Sequence, residues 1–177
     1  MPHVRLAIIL LYTTAARSSA LCGLTWDRCG FDSNRIDLRD PTINRPHNGR
    51  AIVPMLRTAK AVLREAQEGA LSEYVIEWAG KRVKSLKRGI KTAAREAGIT
   101  KTVSPHILRH SAARHMAENG RTMEEIQQFL AHSDINITRK IYRASHLTIL
   151  RRRPKRARSM ILVRCTDAHY LKPIAHP

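Results

Sequence analysis

The sequence predicts a mostly helical α+β domain carrying a small three-stranded antiparallel sheet. Three observations lead there. Apolar residues recur at helical spacing in several separate stretches, each bounded by capping residues. Three short β-prone runs lie close together in the first third of the chain, separated by Asp, Asn, Gly and Pro. With 177 residues, 43% hydrophobic and 26% charged, the chain has the composition of one globular domain with a real core.

Residues 4 to 15 combine apolar side chains with good helix formers and contain no Pro or Gly, which predicts a first helix, with Arg17 just beyond it. Leu24–Trp26, Arg35–Leu38 and Ala51–Val53 are the three strand candidates, and Pro41–Gly49 is the long turn between the last two. Leu56, Ala59, Val62, Leu63 and Ala66 share a helical stripe that Gly69 closes. Tyr74–Trp78 reads as a short strand. Between Lys81 and Arg95, the residues Lys84, Lys87, Arg88, Lys91 and Arg95 recur at three and four, one positive helical face with no acid to offset it. Ser104 followed by Pro105 is a helix start, and Gly120 ends that helix. Thr122 to Glu125 is a capping box for the next, with Ile126, Phe129 and Leu130 as its buried stripe. A last helix is expected over roughly Asn136 to Ala144. Cys22, Trp26, Met116 and Phe129 read as core. Residues 1–148 form the expected domain, and 149–177 a tail that places six basic residues between Arg151 and Arg158.

Charge narrows the class of partner. Thirty-two Lys and Arg against fourteen Asp and Glu give a formal net charge of +18, and such self-repulsion calls for a polyanion. Nucleic acid is the first expectation. A membrane surface would favour a basic amphipathic helix rich in aromatics, and the chain has two Trp and two Phe. The Lys84-to-Arg95 face is therefore expected to meet phosphates. Cys22, Cys29 and Cys165 form no CxxC pair and lack metal-ligand spacing, so no disulfide framework or zinc site is expected, and a reducing cytoplasm fits. Arg5 followed by the apolar run Leu6–Tyr12 has the outline of an export leader, but Arg17 stands where small neutral residues belong.

Five polar positions organise the chemistry: Arg17 after the first helix, His106 and Arg109 on the Ser-Pro helix that also carries His110, then His132 and Tyr142. Planar guanidinium forks match the non-bridging oxygens of a phosphodiester, so two Arg from distant segments can clamp one phosphate. A phenol with a pKa near 10 becomes a nucleophile only when a base takes its proton, and imidazole suits that task. The same histidines allow a metal reading, HxxxH at 106 and 110 with His115 nearby, but no Glu lies between the pair and Arg109 would repel a cation. His110 reads as a packing or supporting residue.

The segments LLYTTAARSSALCGLTWDRCGFD, SPHILRHSAARHMAENG and IQQFLAHSDINITRKIYRASH resemble, in order and spacing, the three signature boxes of tyrosine recombinases of the phage integrase type. The likeness runs over about residues 4 to 146. It implies that Arg17 and Arg109 clamp the scissile phosphate, His106 takes the nucleophile's proton, His132 hydrogen-bonds a phosphate oxygen and Tyr142 attacks, leaving a 3′-phosphotyrosyl link and a free 5′-hydroxyl. It further implies double-stranded DNA as partner, assembly as a homo-tetramer on that DNA, and a cytoplasmic, nucleoid-associated location without a membrane anchor.

The chain departs from the pattern in places. A Lys in the turn of the small sheet is usual as general acid, whereas here the turn offers His47, the better substitute, with Arg45 and Arg50. The acid usual three residues after the first Arg is Ala20, and the Gly of LGH is Ala131. The family also carries a helical core-binding domain ahead of the catalytic one, so a first helix cut short is expected. Two rival readings share these residues: a DNA-binding remnant that has lost cleavage, and a topoisomerase-like relaxer.

Overall fold

The computed structural model describes residues 1–39 and 52–130. Helix α1, Pro2–Thr14, buries Val4, Leu6, Ala7, Leu10, Leu11, Thr13 and Thr14. Apolar on nearly every side, it is the central helix of the fold. Helices α3 (Arg57–Glu68), α4 (Lys87–Glu96) and α5 (Pro105–Glu118) pack around it. The main core joins the α1 side chains to Leu21, Leu24, Ile36, Val53, Leu63, Ile76, Leu86 and Ile90. A second, smaller cluster of Ala15, Ala112, Ala113, Ala117, Ile126 and Leu130 seats α6 (Met123–Leu130) on α5. Its four alanines allow the backbones to come close, so main-chain groups of one element lie within reach of side chains of the next.

The three-stranded antiparallel sheet is present, in the order β1 (Cys29–Gly30), β2 (Arg35–Asp37), β3 (Ile52–Pro54). Its register sets Cys29 opposite Ile36 and Ile36 opposite Val53. All three are buried, one apolar row facing the core. The first strand lies later than expected. Leu24–Trp26 does not enter this sheet: Val75 N–H donates to the Leu24 carbonyl at 2.9 Å and Trp26 N–H to Glu73 at 3.0 Å, with a single bridge between Thr25 and Tyr74. The chain then turns through Trp26–Arg28 as a 3₁₀ helix before β1 begins. A pair of β-prone residues has gone to the partner that long-range packing supplies, which periodicity could not foresee.

Tyr74–Trp78 is a strand only at its end, where β4 (Glu77–Trp78) pairs with β5 (Lys81–Arg82) across Ala79 and Gly80, both at positive φ (50° and 72°). That hairpin shortens the expected basic helix. Val83 N–H donates to the Ile76 carbonyl and α4 starts only at Lys87, so Lys84 precedes the helix and is not on its face. Lys87, Arg88, Lys91 and Arg95 remain on α4, all exposed, while Ile90 and Ala94 are buried beneath them. Gly89 lies against Val4: a Cβ there would meet the Val4 Cγ2 at 2.7 Å, so the absence of a side chain lets α4 cross α1.

The predicted caps are present. Ser104 Oγ accepts from Ile107 N–H at 3.3 Å ahead of Pro105. Thr122 and Glu125 exchange bonds, Thr122 N–H to Glu125 at 2.9 Å and Glu125 N–H to the Thr122 hydroxyl at 3.2 Å. Gly120 sits at φ 78°, a left-handed stop after α5. Among the described residues no helix is long and apolar enough to cross a membrane.

Candidate active site

Arg17 is delivered by a corner that α1 builds at its own end. The Thr13 hydroxyl donates to the Ile9 carbonyl at 2.8 Å and the Thr14 hydroxyl to Leu10 at 2.6 Å, while Thr14 Oγ1 also accepts from Ala16 N–H at 3.2 Å. These bonds tie the last turn of the helix to the corner after it. Ala15 then takes the left-handed conformation, φ 48° and ψ 27°, that glycine usually supplies at a helix end. The turn leads into a short helix that the sequence did not announce, α2 (Ser18–Cys22), with Arg17 as its N-cap residue. At its far end the Cys22 carbonyl accepts from Arg82 Nε at 2.8 Å and the Gly23 carbonyl from Arg28, cations placed where a helix C-terminus favours them. Arg17 is thus held between two fixed helix ends, which supplies rigidity that Ala20 cannot contribute as an acid would.

Arg109 is buried, 7% exposed, on the inner face of α5. One terminal nitrogen donates to the carbonyl of Ala15, and the other donates to Leu130 at 2.6 Å. The first bond fixes the corner preceding Arg17. The second fixes the last residue of α6, two positions before His132. A guanidinium carries five N–H groups, so these two leave others for a ligand. Burial, and then the nearby charge of Arg17, bring the Arg109 pKa down to about 10. It remains protonated at neutral pH, but both causes disfavour the charge. An anion beside the guanidinium would offset the charge repulsion.

His106 stands exposed on the first turn of α5. One turn on, His110 brings its Nε2 to 2.6 Å from the His106 Nε2, the rings meeting edge to face at a centroid distance of 4.1 Å. The supporting role expected of His110 has a definite object, the imidazole of His106. Burial first, then His106 and Arg109, lower the His110 pKa, favouring its neutral form. His115 lies elsewhere, 6.0 Å from the Tyr12 ring.

His132 and Tyr142 lie outside the described residues, as do the expected last helix, the 149–177 tail and the turn bearing Arg45, His47 and Arg50. Lys60, the first lysine of the chain, has its own place beside the sheet. Its ammonium donates to the Phe31 carbonyl at 2.6 Å and Asn34 Oδ1 at 2.7 Å, clamping the β1–β2 turn where Asn34 stands at φ 51°.

Sequence reasoning missed the contributions of Ala15 and Leu130, because a backbone carbonyl is the same on every residue. The signal for His110 was present in its i, i+4 spacing from His106.

The sequence model of the phage integrase family matches residues 2–148. Tyrosine recombinase XerC of Xylella fastidiosa (strain M23) is 29% identical over 159 residues, covering 80% of this chain and 52% of that protein. The chain therefore spans about half the length of the curated relatives it matches. Among solved structures, XerA recombinase shares the fold at a TM-score of 0.70 with 23% identity, covering 87% of this chain and 57% of that one. The Tn1549 transposon integrase in complex with circular intermediate DNA has a TM-score of 0.67 with 20% identity, covering 82% and 58%. With the family's sequence model covering most of its length and its helix-and-small-sheet architecture shared with solved recombinases, this chain belongs to the phage integrase family.

Proposed function

We propose that residues 1–148 are the strand-cleaving and rejoining domain of a site-specific DNA recombinase, with 149–177 a basic appendage. The observation that carries this reading is the bond from buried Arg109 to the Ala15 carbonyl, two residues before Arg17, which brings two cations from segments far apart in sequence to one locus. Double-stranded DNA is the partner. The net charge of +18 and the exposed Lys87, Arg88, Lys91 and Arg95, with Lys84 before them, support it, as does the DNA named in the complex of the Tn1549 integrase.

In this reading the Tyr142 hydroxyl gives its proton to His106 as its oxygen forms a bond to phosphorus, and the bond from phosphorus to the 5′-oxygen breaks. His47, or less aptly Arg45, protonates the departing oxygen. Arg17 and Arg109 neutralise the charge that builds on the non-bridging oxygens, and His132 hydrogen-bonds one of them. Phosphorus keeps the same number of ester bonds throughout, so rejoining to a second strand needs neither nucleotide nor metal. Strand exchange requires two duplexes and hence several protomers. A tetramer on DNA, in the cytoplasm at the nucleoid, completes the proposal.

The test is covalent trapping on a nicked duplex from which the cleaved fragment diffuses away. Wild type should form a protein–DNA adduct that survives denaturant, and Tyr142→Phe should form none. Equal adduct from both would sink the assignment, and salt-sensitive DNA binding with no adduct from either would favour a binding remnant.

A further inference from the structure

The 2.6 Å contact between His106 and His110 joins two nitrogens of the same kind, so a hydrogen lies between them and one ring donates while the other accepts. Which ring donates decides whether His106 can be a base. If His110 donated, the His106 Nε2 lone pair would be engaged and its proton would sit on Nδ1, leaving nothing to accept a proton. If His106 donates Nε2–H, its Nδ1 lone pair is free and its ring orientation is fixed by the acceptor. The surroundings favour the second arrangement. His110 is the more buried ring, with Arg109 beside it, and both disfavour an added proton on it, which leaves His110 the acceptor when the pair takes up a proton.

We propose that His110 is a positioning residue: by accepting Nε2–H from His106 it fixes the tautomer and ring orientation in which His106 Nδ1 takes the nucleophile's proton. The resulting imidazolium then shares its Nε2 proton with a neutral neighbour. In the step itself the proton passes from the phenol oxygen to His106 Nδ1 as the oxygen bonds to phosphorus, and on religation it returns. No other reactant is needed. An acceptor behind a general base commonly does this work as a carboxylate. Here the focus is strongly positive, and a carboxylate would pair with Arg109 and compete with the phosphate. A neutral imidazole orients the base without that competition.

Among the described residues, the charged and titratable groups on α5 and on the elements packed against it agree with this role. On α5 itself these are His106, Arg109 and, farther along, Arg114 paired to Glu118 at 2.9 Å. The α1–α2 corner brings Arg17, which acts on Arg109, and α1 brings Tyr12, which meets His115. The α6 acid Glu125 lies near the other end of α5, within 3.6 Å of Arg121.

The proposal rests on the recombinase reading for its function but not for its geometry, so two measurements on the 177-residue chain separate them. Imidazole ¹⁵N shifts of the DNA-free protein at pH 7.5 should place the His106 proton on Nε2 and the His110 proton on Nδ1. The reverse assignment, or two rings without mutual coupling, overturns the proposal. Adduct formation on nicked duplex is then followed from pH 5.5 to 8.5. His110→Phe should lose about tenfold to a hundredfold in rate, a share of what general-base catalysis supplies, and its acid limb should move, while His110→Asn, which keeps an acceptor, recovers part of both. Thermal melts show whether either variant is folded, and the ¹⁵N result stands if one is not. If Tyr142→Phe and His106→Gln abolish adduct but His110→Phe retains the wild-type rate and profile, the proposal is wrong and the recombinase reading stands. If wild type forms no Tyr142-dependent adduct, the recombinase reading fails and the catalytic role of His110 goes with it.

Discussion

Arg109 donates to the carbonyl of Ala15, a residue 94 positions earlier in the chain, and with its other terminal nitrogen to Leu130. One buried side chain therefore spans the corner that presents Arg17 and the end of the helix that leads to His132. It is a structural cross-link as well as a phosphate ligand in the proposed chemistry. That double duty explains why it tolerates burial beside a second cation.

Arg109→Lys separates the two roles from simple charge. Lysine keeps the cation but cannot reach two carbonyls as a fork, so at least one buried acceptor loses its partner at a cost of about 1–3 kcal/mol. Urea denaturation should show that loss. Adduct yield should fall by about 10²–10³-fold, the range for removing a preorganised donor from a developing oxyanion. Stability and activity both at wild-type level would contradict the cross-link.

Gly89→Ala should destabilise the fold although alanine is the better helix former. The added methyl would sit 2.7 Å from Val4 Cγ2, and Val4 is buried and branched. Overpacking of this kind costs about 1–3 kcal/mol against a gain of up to about 1 kcal/mol in helix propensity. A lowered melting temperature by circular dichroism is expected, and an unchanged or raised one would show that α4 does not cross α1 there.

Acidification should weaken the fold before the carboxylates titrate. The pKa of His110 is lowered by burial, His106 and Arg109, and that of His3 by burial and the amino-terminal charge. The ordinary value for each is 6.5, so the unfolded chain takes up protons first as pH falls below it. The stabilising contribution is fully present above pH 6.5 and is lost as pH drops through the lowered folded values. Asp37, held below its ordinary 3.8 chiefly by its hydrogen bond from Arg39, acts in a more acidic range. Urea midpoints should decline from pH 7.5 to 5.5, and less steeply in His110→Gln.

Cys22 and Cys29 should resist alkylation in the native chain. Burial raises both thiol pKa values, that of Cys29 to about 12, so almost no thiolate exists at neutral pH. In a Cys165→Ser background, iodoacetamide should label neither residue until urea unfolds the chain. Rapid native labelling of either would contradict the packing.

Helices α3, α5 and α6 were legible because their signals are local: the Ser104–Pro105 start, the Thr122–Glu125 box and the stripe of α3 each span only a few residues. The small sheet was legible in number and sense but not in its first strand, because Leu24 and Trp26 spend their main-chain groups on Val75 and Glu73, about fifty residues away. Lys84 was misplaced for the same kind of reason, since the pairing of Glu77–Trp78 with Lys81–Arg82 ends the helix early. Arg17, His106 and Arg109 could be singled out as candidates from the sequence, and the contact of His110 with His106 follows from their i, i+4 spacing. That Arg109 reaches backbone on both sides could not, since nothing in the residue types Ala15 and Leu130 marks them as acceptors.

Which oxygen attacks phosphorus decides the chemistry. The chain has four tyrosines, Tyr12, Tyr74, Tyr142 and Tyr170. Adduct formed on a nicked duplex can be digested with nuclease and protease and the nucleotide-bearing peptide sequenced by mass spectrometry. The 3′-phosphonucleotide should be found on Tyr142 alone; its presence on Tyr12, Tyr74 or Tyr170, or on a residue other than tyrosine, would contradict the account.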